Sequence, residues 1–171
     1  QCILDFGCGS GRDAKYFAKQ GYDVTAIDVS AELIQWAQRH HILSKIDWHH
    51  LDFSGIEKQP WENKFTGIWA CASLLHVPFL ELPCIIELLL ETLTDEGVMY
   101  LSFKYGEGER VDSERFFCDM NEPRWATVVA EISQVIEYDT WLSADKRADC
   151  KDAWFNVVIK RESNRIRSST R

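Results

Sequence analysis

The chain has 171 residues, of which 46% are hydrophobic and 27% charged, and its formal net charge at pH 7 is -8. This length fits one globular domain, and no apolar run approaches the roughly 20 residues that a membrane-spanning helix needs. The missing apolar run argues against a membrane as partner, and the negative charge, which opposes a phosphate backbone, argues against nucleic acid. No signal peptide opens the sequence, and the six cysteines lack metal or disulfide spacing, which favours the cytoplasm and no metal site.

Strands and helices alternate in the first part of the chain. Residues 2–6 (CILDF) form a short apolar run before glycines, and the next stretch, which stops at Gly21, has one apolar helical face. A β-branched run at 23–30 precedes a second helix, which Ser30 can cap through its hydroxyl. A weaker strand at 45–53 follows this helix.

The alternation continues with a buried strand, a long apolar-faced helix and a fifth strand, at 65–75, 79–94 and 97–104. A glycine- and charge-rich stretch, YGEGERVDSER, is predicted to be a loop, and a helix follows around PRWATVVAEI. Two further runs, at 133–142 and 153–161, read as an antiparallel pair of strands.

This order of elements favours an α/β fold. We expect a Rossmann-like, seven-stranded, mostly parallel sheet with an antiparallel edge hairpin and helices on both faces. Residues 1–161 are assigned to one domain and residues 162–171 to a basic, solvated tail. Trp36 and Trp69 lie in apolar stretches, which predicts that both pack in the core.

A glycine-rich turn, GCGSG, joins the first strand to the first helix. Ligands of open parallel sheets bind at the carboxyl ends of the strands, where such a turn presents free backbone N–H groups. Gly7, Gly9 and Gly11 let a ligand approach the main chain and permit the positive φ angles of a tight turn. Asp28, which ends the second strand, can accept hydrogen bonds from two ribose hydroxyls. Together these features indicate a nucleoside site.

The spacing of the glycines distinguishes this turn from the dinucleotide fingerprint. That fingerprint is G-x-G-x-x-G, whereas this chain has G-x-G-x-G followed by Arg12 and Asp13. Asp5 brings a carboxylate toward the same crevice, where it would repel a pyrophosphate and attract a cation. S-adenosylmethionine, a cationic nucleoside, therefore fits better than NAD, and an NAD-dependent oxidoreductase is the less favoured alternative.

The run ILDFGCGSGRD, followed by VTAIDVS, resembles the first two cofactor motifs of the class I S-adenosylmethionine-dependent methyltransferases. The resemblance spans nearly the whole chain. GSGRD, WACASLLHVP and SFKYGEGER with Arg115 and Phe116 are similar to a bacterial small-molecule branch akin to the tellurite-resistance methyltransferases. The family usually has one or two helices before the first strand, so we expect this chain to lack the N-terminal cap helices.

The resemblance implies that ten residues bind the cofactor: Asp5, Gly7, Cys8, Gly9, Gly11, Asp28, Val29, Asp52, Phe53 and Ala70. The glycine turn would line the methionine part, with Asp5 near the amino group, and Asp28 would hold the ribose. Asp52 and Phe53 match the position for the adenine, with a plain surface turn as the alternative for HLDF. The stretch 70–74 would pass beneath the transferring methyl group.

Methyl transfer is a one-step displacement, so the protein mainly has to position the reactants. His76, in LLHVP after the fourth strand, is the candidate general base, and a histidine that only fixes this loop is an equal alternative. Lys104, Tyr105 and Arg115 follow the fifth strand, where an anionic or polar acceptor would enter, although solvated loop charges explain them too. We predict methyl transfer to a small-molecule acceptor, with S-adenosylhomocysteine as product, and a non-catalytic S-adenosylmethionine-binding module as the alternative.

Overall fold

A computed structural model describes residues 1–41, 45–134, 136–146 and 152–162. The strands in these ranges are β1 Cys2–Phe6, β2 Asp23–Asp28, β3 Ile46–His50, β4 Phe65–Ala70, β5 Leu93–Lys104, β6 Glu109–Asp112, β7 Arg115–Cys118, β8 Ile136–Ala144 and β9 Ala153–Arg161. The α-helices are α1 Arg12–Lys19, α2 Ala31–His40, α3 Phe53–Ile56, α4 Leu82–Thr92 and α5 Glu122–Ala130. Two short 3-10 turns cover Leu74–His76 and Phe79–Glu81.

One large sheet organises the domain, with the strand order β3-β2-β1-β4-β5-β9-β8. The first five strands in this order, β3, β2, β1, β4 and β5, pair in parallel. Strand β9 runs antiparallel to both β5 and β8. The seven-stranded, mostly parallel sheet with an antiparallel pair at one edge is therefore confirmed. Because β9 inserts between β5 and β8, the edge strand of this pair is the earlier one in the sequence.

Helices cover both faces of the sheet, as predicted. Successive residues of β2 show this directly, because Ala26 packs in a small cluster with Ala14 of α1, whereas Ile27 belongs to the main core. The main core also contains the apolar face of α4, with Ile86, Leu89 and Leu90 fully buried. Burying one such side chain stabilises the fold by about 1.5 to 3 kcal/mol. No helix within the described ranges is long and apolar enough to cross a membrane.

The segment after β5 departs from the predicted loop. Residues 109–118 form a separate two-stranded hairpin, β6–β7, whose first strand is exposed at all four positions. Its turn residues, Ser113 and Glu114, have positive φ angles of 50° and 67° without being glycine. The usual sequence signals of a hairpin, an apolar alternation and an Asn-Gly or Asp-Gly turn, are therefore missing.

Smaller differences concern single residues. Trp36 is 40% exposed and stacks on His40 instead of packing in the core, since Ile34 and Ala37 are the buried residues of α2. The helix predicted to reach residue 94 ends at Thr92, and β5 begins directly after it. Of the predicted basic tail, only Glu162 is described, and residues 163–171 lie outside the described ranges, as does Cys150.

Candidate functional site

A cavity of about 370 Å³ opens at the carboxyl edge of the parallel strands. Its wall contains seven of the eleven residues that the sequence assigns to cofactor binding or catalysis: Gly7, Gly9, Asp28, Val29, Asp52, Phe53 and His76. The remaining wall consists of Phe6, Ile27, Ser30, Leu33, Leu51, Ala72, Ser73 and Arg115. Asp5, Cys8, Gly11 and Ala70 do not line this cavity. The wall thus combines apolar side chains with a few polar groups, which is typical of small-molecule sites.

Backbone hydrogen bonds fix the glycine turn against the end of β2. The amides of Gly7 and Cys8 both donate to the carbonyl oxygen of Ile27, each at 2.9 Å. The amide of Gly11 closes the turn by donating to the carbonyl oxygen of Cys8 at 2.9 Å. These bonds leave the turn as a defined main-chain surface beside the cavity.

The three glycines of the turn have different surroundings, although all have positive φ angles. A β-carbon on Gly7 would lie 2.4 Å from Cβ of Ser73, and one on Gly11 would lie 2.3 Å from Cη2 of Trp48. A β-carbon on Gly9 would meet nothing within 4 Å, and Gly9 faces the cavity. Packing within the protein therefore requires Gly7 and Gly11 to be small, whereas Gly9 leaves room for a ligand.

Asp28 connects two walls of the cavity through its carboxylate. Its Oδ2 accepts a hydrogen bond from the amide of Gly9 at 2.8 Å, and its Oδ1 accepts one from the amide of Ser30 at 2.8 Å. A carboxylate has about four acceptor positions, so each oxygen can accept a further hydrogen bond. The arrangement suits a pair of ligand hydroxyls. Val29, the next residue, is 62% exposed on the cavity wall.

Asp52 and Phe53, which follow the end of β3, form the adjacent wall of the cavity. Asp52 caps α3, because its Oδ1 accepts hydrogen bonds from the amide of Gly55 at 2.9 Å and the hydroxyl of Ser54 at 2.8 Å. These two bonds lower the pKa of Asp52, with Ser54 as the larger cause. The ring of Phe53 stacks on Phe6 at 5.6 Å between centroids. HLDF is thus both a capped turn and part of the cavity wall.

Asp5 lies behind the glycine turn and is only 3% exposed. Its Oδ2 has no hydrogen-bond partner among the described residues, although a backbone hydrogen bond from Ala14 reaches the carboxyl group. Burial, followed by the nearby charge of Asp13, raises the pKa of Asp5 to about 7. A buried acceptor without a partner is unfavourable in the free protein, and a cationic group next to it would remove this cost.

Cys8 and Ala70 also lie outside the cavity wall. Burial raises the pKa of the Cys8 thiol far above its ordinary value, so this thiol stays protonated. Ala70 is fully buried, and the chain reaches the cavity only two residues later, at Ala72 and Ser73. The hydroxyl of Ser102 on β5 holds this segment by accepting a hydrogen bond from the amide of Ala72 at 2.9 Å.

The start of α1 is tied to β4 on the other side of the glycine turn. Asp13 accepts hydrogen bonds from Nε of Arg12 at 2.8 Å and from Nε1 of Trp69 at 3.1 Å. Burial alone would raise the pKa of Asp13, but these two bonds outweigh it and the pKa is lowered. Trp69 is half-buried and stacks on Tyr100 at 4.2 Å between ring centroids. It therefore binds Asp13 instead of packing in the deep core.

His76 lies at the end of the cavity, in the 3-10 turn after β4. Its Nδ1 is 2.7 Å from the carbonyl oxygen of Phe116, and its ring packs beside Phe117. A carbonyl oxygen only accepts hydrogen bonds, so Nδ1 carries the proton, and Nε2 of the neutral ring keeps a free lone pair. Anchoring a loop and accepting a proton are therefore compatible roles, since they use different ring nitrogens.

Lys104 and Tyr105 do not lie at this cavity, contrary to the prediction that they flank the acceptor. Lys104 donates hydrogen bonds to Asp152 at 2.8 Å and Asp145 at 3.3 Å, and its ammonium lies 4.2 Å from the ring centre of Trp154. Both residues border a separate polar hollow. Of the three residues proposed to flank the acceptor, Arg115 alone reaches the cavity wall.

Sequence reasoning missed several apolar wall residues. Leu33, on α2, is 38% exposed and faces the cavity. Leu51 directly precedes Asp52, and its position next to that acid is the only signal that the sequence offered.

Across residues 1–41, 45–134, 136–146 and 152–162, no group of three or more His, Cys, Asp or Glu side chains is placed to hold a metal ion.

Comparison with protein families places the chain among methyltransferases. The family model described as a methyltransferase domain matches residues 3–97, which is more than half of the chain. A curated relative, the ubiquinone biosynthesis O-methyltransferase of Pasteurella multocida, is 31% identical over 113 residues. That match covers 58% of this chain and 45% of the relative, so the chain spans less than half the length of this relative.

Solved structures share the fold at low sequence identity. The 1,6-didemethyltoxoflavin-N1-methyltransferase of Burkholderia thailandensis, solved with 1,6-didemethyltoxoflavin and S-adenosylhomocysteine, has a TM-score of 0.74 and 21% identity, over 95% of this chain and 71% of that one. TehB from Haemophilus influenzae has a TM-score of 0.72 and 19% identity, over 95% of this chain and 57% of that one. The chain belongs to the methyltransferase domain family and has the Rossmann-like fold of the class I S-adenosylmethionine-dependent methyltransferases.

Proposed function

We propose that this chain binds S-adenosylmethionine in the cavity beside the glycine turn and transfers its methyl group to a small-molecule acceptor. The observation that carries the proposal is the junction of Gly9 and Asp28. There an open main-chain surface lies within hydrogen-bond distance of a carboxylate that still has free acceptor positions. The family match supports the activity, and the ligand named for the Burkholderia structure supports the cofactor.

The residues of the site fit the chemical groups of this cofactor. Asp28 would accept the ribose hydroxyls, while Phe53 would contact the adenine ring and Asp52 its exocyclic amine. The unpartnered Oδ2 of Asp5, behind the turn, matches the need of an α-ammonium group for a carboxylate. Gly7 and Gly11 would act indirectly, because their lack of a side chain allows the turn to pack against Ser73 and Trp48.

When bound, S-adenosylmethionine supplies a methyl group on a positively charged sulfur, and the C–S bond breaks as the methyl carbon bonds to the acceptor atom. The protein has to hold the acceptor in line with that bond, and correct placement can lower the barrier by several kcal/mol. His76 would take the proton of an acceptor hydroxyl or amine on its free Nε2. The bond from Nδ1 to Phe116 fixes the ring orientation for this role.

We further infer a reducing compartment such as the cytoplasm. The five described cysteines, Cys2, Cys8, Cys71, Cys84 and Cys118, are free thiols. Free thiols persist where glutathione and thioredoxin keep them reduced. The net charge of -8 supports a small molecule rather than a nucleic acid as the acceptor.

An assay of S-adenosylhomocysteine release tests the proposed activity. The chain is incubated with S-adenosylmethionine and a panel of hydroxylated, amine and thiol small molecules, and the release is measured with and without each acceptor. We expect acceptor-dependent release for at least one class. Tight cofactor binding without release in any class would instead support the non-catalytic binding module.

A further inference from the structure

Arg115 gives the acceptor end of the cavity a positive charge. It begins β7 of the exposed hairpin, and it is the only cationic residue among the described residues that line the cavity, apart from His76 if protonated. The acidic side chains of the same wall are Asp28 and Asp52, and each accepts hydrogen bonds from donors of its own loop. The cavity thus has carboxylates toward the ends of β2 and β3 and a guanidinium at the hairpin.

No carboxylate within the described ranges forms an ion pair with Arg115. The opposite residue of the hairpin, Asp112, pairs with Arg110 at 3.5 Å and accepts a hydrogen bond from the hydroxyl of Ser113. Arg110 itself binds Asp119 at 2.7 Å. Asp112, the acid opposite Arg115 in the hairpin, is thus engaged elsewhere, and no ion pair within the described ranges joins Arg115 to the adjacent Glu114. The five N–H donors of Arg115 are therefore available to a ligand.

The position of Arg115 is linked to His76 rather than to the glycine turn. Strand β7 packs on the 3-10 turn Leu74–His76, and the carbonyl of Phe116, the residue after Arg115, holds the His76 ring. Arg12, the cation at the start of α1, does not line the cavity and forms an ion pair with Asp13. The strand that begins with Arg115 therefore also holds the His76 ring, and both side chains line the same cavity.

We infer that Arg115 binds a carboxylate or comparable oxyanion of the methyl acceptor, next to the free Nε2 of His76. The inference rests on the proposed function, and it narrows the acceptor to small molecules that carry an anionic group besides the methylated atom. A guanidinium binds a carboxylate through two parallel N–H···O bonds, which fixes orientation as well as position. The acceptor hydroxyl would then point at His76 in a defined geometry.

The reaction balances without a further reactant. The acceptor hydroxyl gives its proton to Nε2 of His76, its oxygen forms the bond to the methyl carbon, and the electron pair of the broken C–S bond stays on sulfur. Arg115 does not exchange a proton, because a guanidinium stays charged at all physiological pH values. Its role is to position the acceptor, so its loss should raise KM for an anionic acceptor more than it lowers kcat.

Two probes of the same shape test this inference on protein saturated with S-adenosylhomocysteine. These are 4-hydroxybenzoate and its neutral amide, 4-hydroxybenzamide, and their affinities are compared by calorimetry. We expect the wild type to bind the carboxylate about tenfold or more tightly than the amide, which is typical of a charged hydrogen-bond pair. Arg115→Gln should remove this preference, and Arg115→Lys should keep part of it.

A matched control variant and a titration with S-adenosylhomocysteine distinguish failure of this inference from failure of the proposed function. Arg39→Gln removes the same charge at an exposed position outside the cavity, and it should keep the preference for the carboxylate. Equal affinity of the wild type for both probes, no binding of the carboxylate, or an unchanged preference in Arg115→Gln would overturn the inference. If S-adenosylhomocysteine itself does not bind the wild type, the proposed function fails instead.

The guanidinium has one competing ligand, the carboxylate of the cofactor. 5′-Methylthioadenosine lacks the amino-acid part, so its affinity is compared with that of S-adenosylhomocysteine in wild type and Arg115→Gln. We expect Arg115→Gln to bind each of the two nucleosides with an affinity within about twofold of the wild-type value. A twofold difference in affinity corresponds to about 0.4 kcal/mol. A selective loss of S-adenosylhomocysteine binding would assign Arg115 to the cofactor and overturn the inference, while the proposed function would stand.

Discussion

The amide of Gly9 donates a hydrogen bond of 2.8 Å to Oδ2 of Asp28. This contact joins the turn after β1 to the end of β2, and both residues line the cavity. One carboxylate therefore fixes the relative position of two cavity walls. A site whose walls are held together by the protein's own hydrogen bonds loses less conformational freedom when a ligand binds.

Alanine at the glycine positions should separate folding from binding. Gly9→Ala places a methyl group in open space of the cavity, at a φ angle of 55° that costs about 1 to 2 kcal/mol. Gly11→Ala adds a clash with Trp48 to a similar strain. We expect a larger fall in melting temperature for Gly11→Ala and a loss of S-adenosylmethionine binding in a still folded Gly9→Ala. Undiminished binding by Gly9→Ala would contradict this assignment.

The pH dependence of stability should report on Asp5. Its pKa in the folded protein, about 7, lies above its ordinary value of 3.8, so the folded state holds the proton more tightly than the unfolded state. The stability from this group is complete below about pH 4 and is lost as the pH rises through 7. Asp5→Asn should remove this loss and unfold at a higher temperature than wild type at pH 8.

The raised pKa of Asp5 also sets the expected difference in unfolding free energy between wild type and Asp5→Asn. Each unit of pKa shift corresponds to about 1.4 kcal/mol, so the difference at pH 8 should be of the order of a few kcal/mol. Thermal unfolding from pH 4 to pH 8 measures it, and Asp139→Asn, at an exposed position on β8, is the control. Equal slopes for wild type and Asp5→Asn would be incompatible with a raised pKa. The same variant should bind S-adenosylmethionine more weakly.

Variants of His76 can distinguish the two ring nitrogens. The amide nitrogen of Asn can replace Nδ1 as the donor to Phe116, but Asn has no group at the position of Nε2. His76→Asn should therefore keep the fold and the affinity for S-adenosylmethionine, while methyl transfer to a hydroxyl acceptor falls by about 10² to 10⁴. Release of S-adenosylhomocysteine measures the rate. A wild-type rate in His76→Asn would leave His76 as a loop anchor only.

Sequence patterns predicted the sheet and the place of the site because both depend on local signals. Strand β1, the glycine turn, α1 and β2 with Asp28 lie within the first 28 residues and form a short strand-helix-strand unit. By contrast, the differences between Gly7, Gly9 and Gly11 depend on Ser73 and Trp48, which approach from distant parts of the chain. The spacing of glycines alone does not contain that information.

Long-range pairing also explains the errors of the sequence analysis. Lys104 follows the fifth strand as an acceptor-binding residue would, but its partners Asp145 and Asp152 lie 41 and 48 residues away in the sequence. The sequence of the β6–β7 hairpin predicts a loop because its first strand is exposed and its turn lacks glycine. The apolar stretch around Trp36 predicts a core position, but the buried face of α2 consists of Ile34 and Ala37.

Calorimetric titration of S-adenosylmethionine into wild type and Asp28→Asn measures whether the Gly9–Asp28 junction binds the cofactor. We expect the wild type to bind one S-adenosylmethionine per chain. We also expect about tenfold to hundredfold weaker binding by Asp28→Asn, since each hydrogen bond to a charged group contributes about 1.5 to 3 kcal/mol. Asp139→Asn should bind like the wild type. Equal affinity in Asp28→Asn, or tight binding of NAD in place of S-adenosylmethionine, would contradict the account.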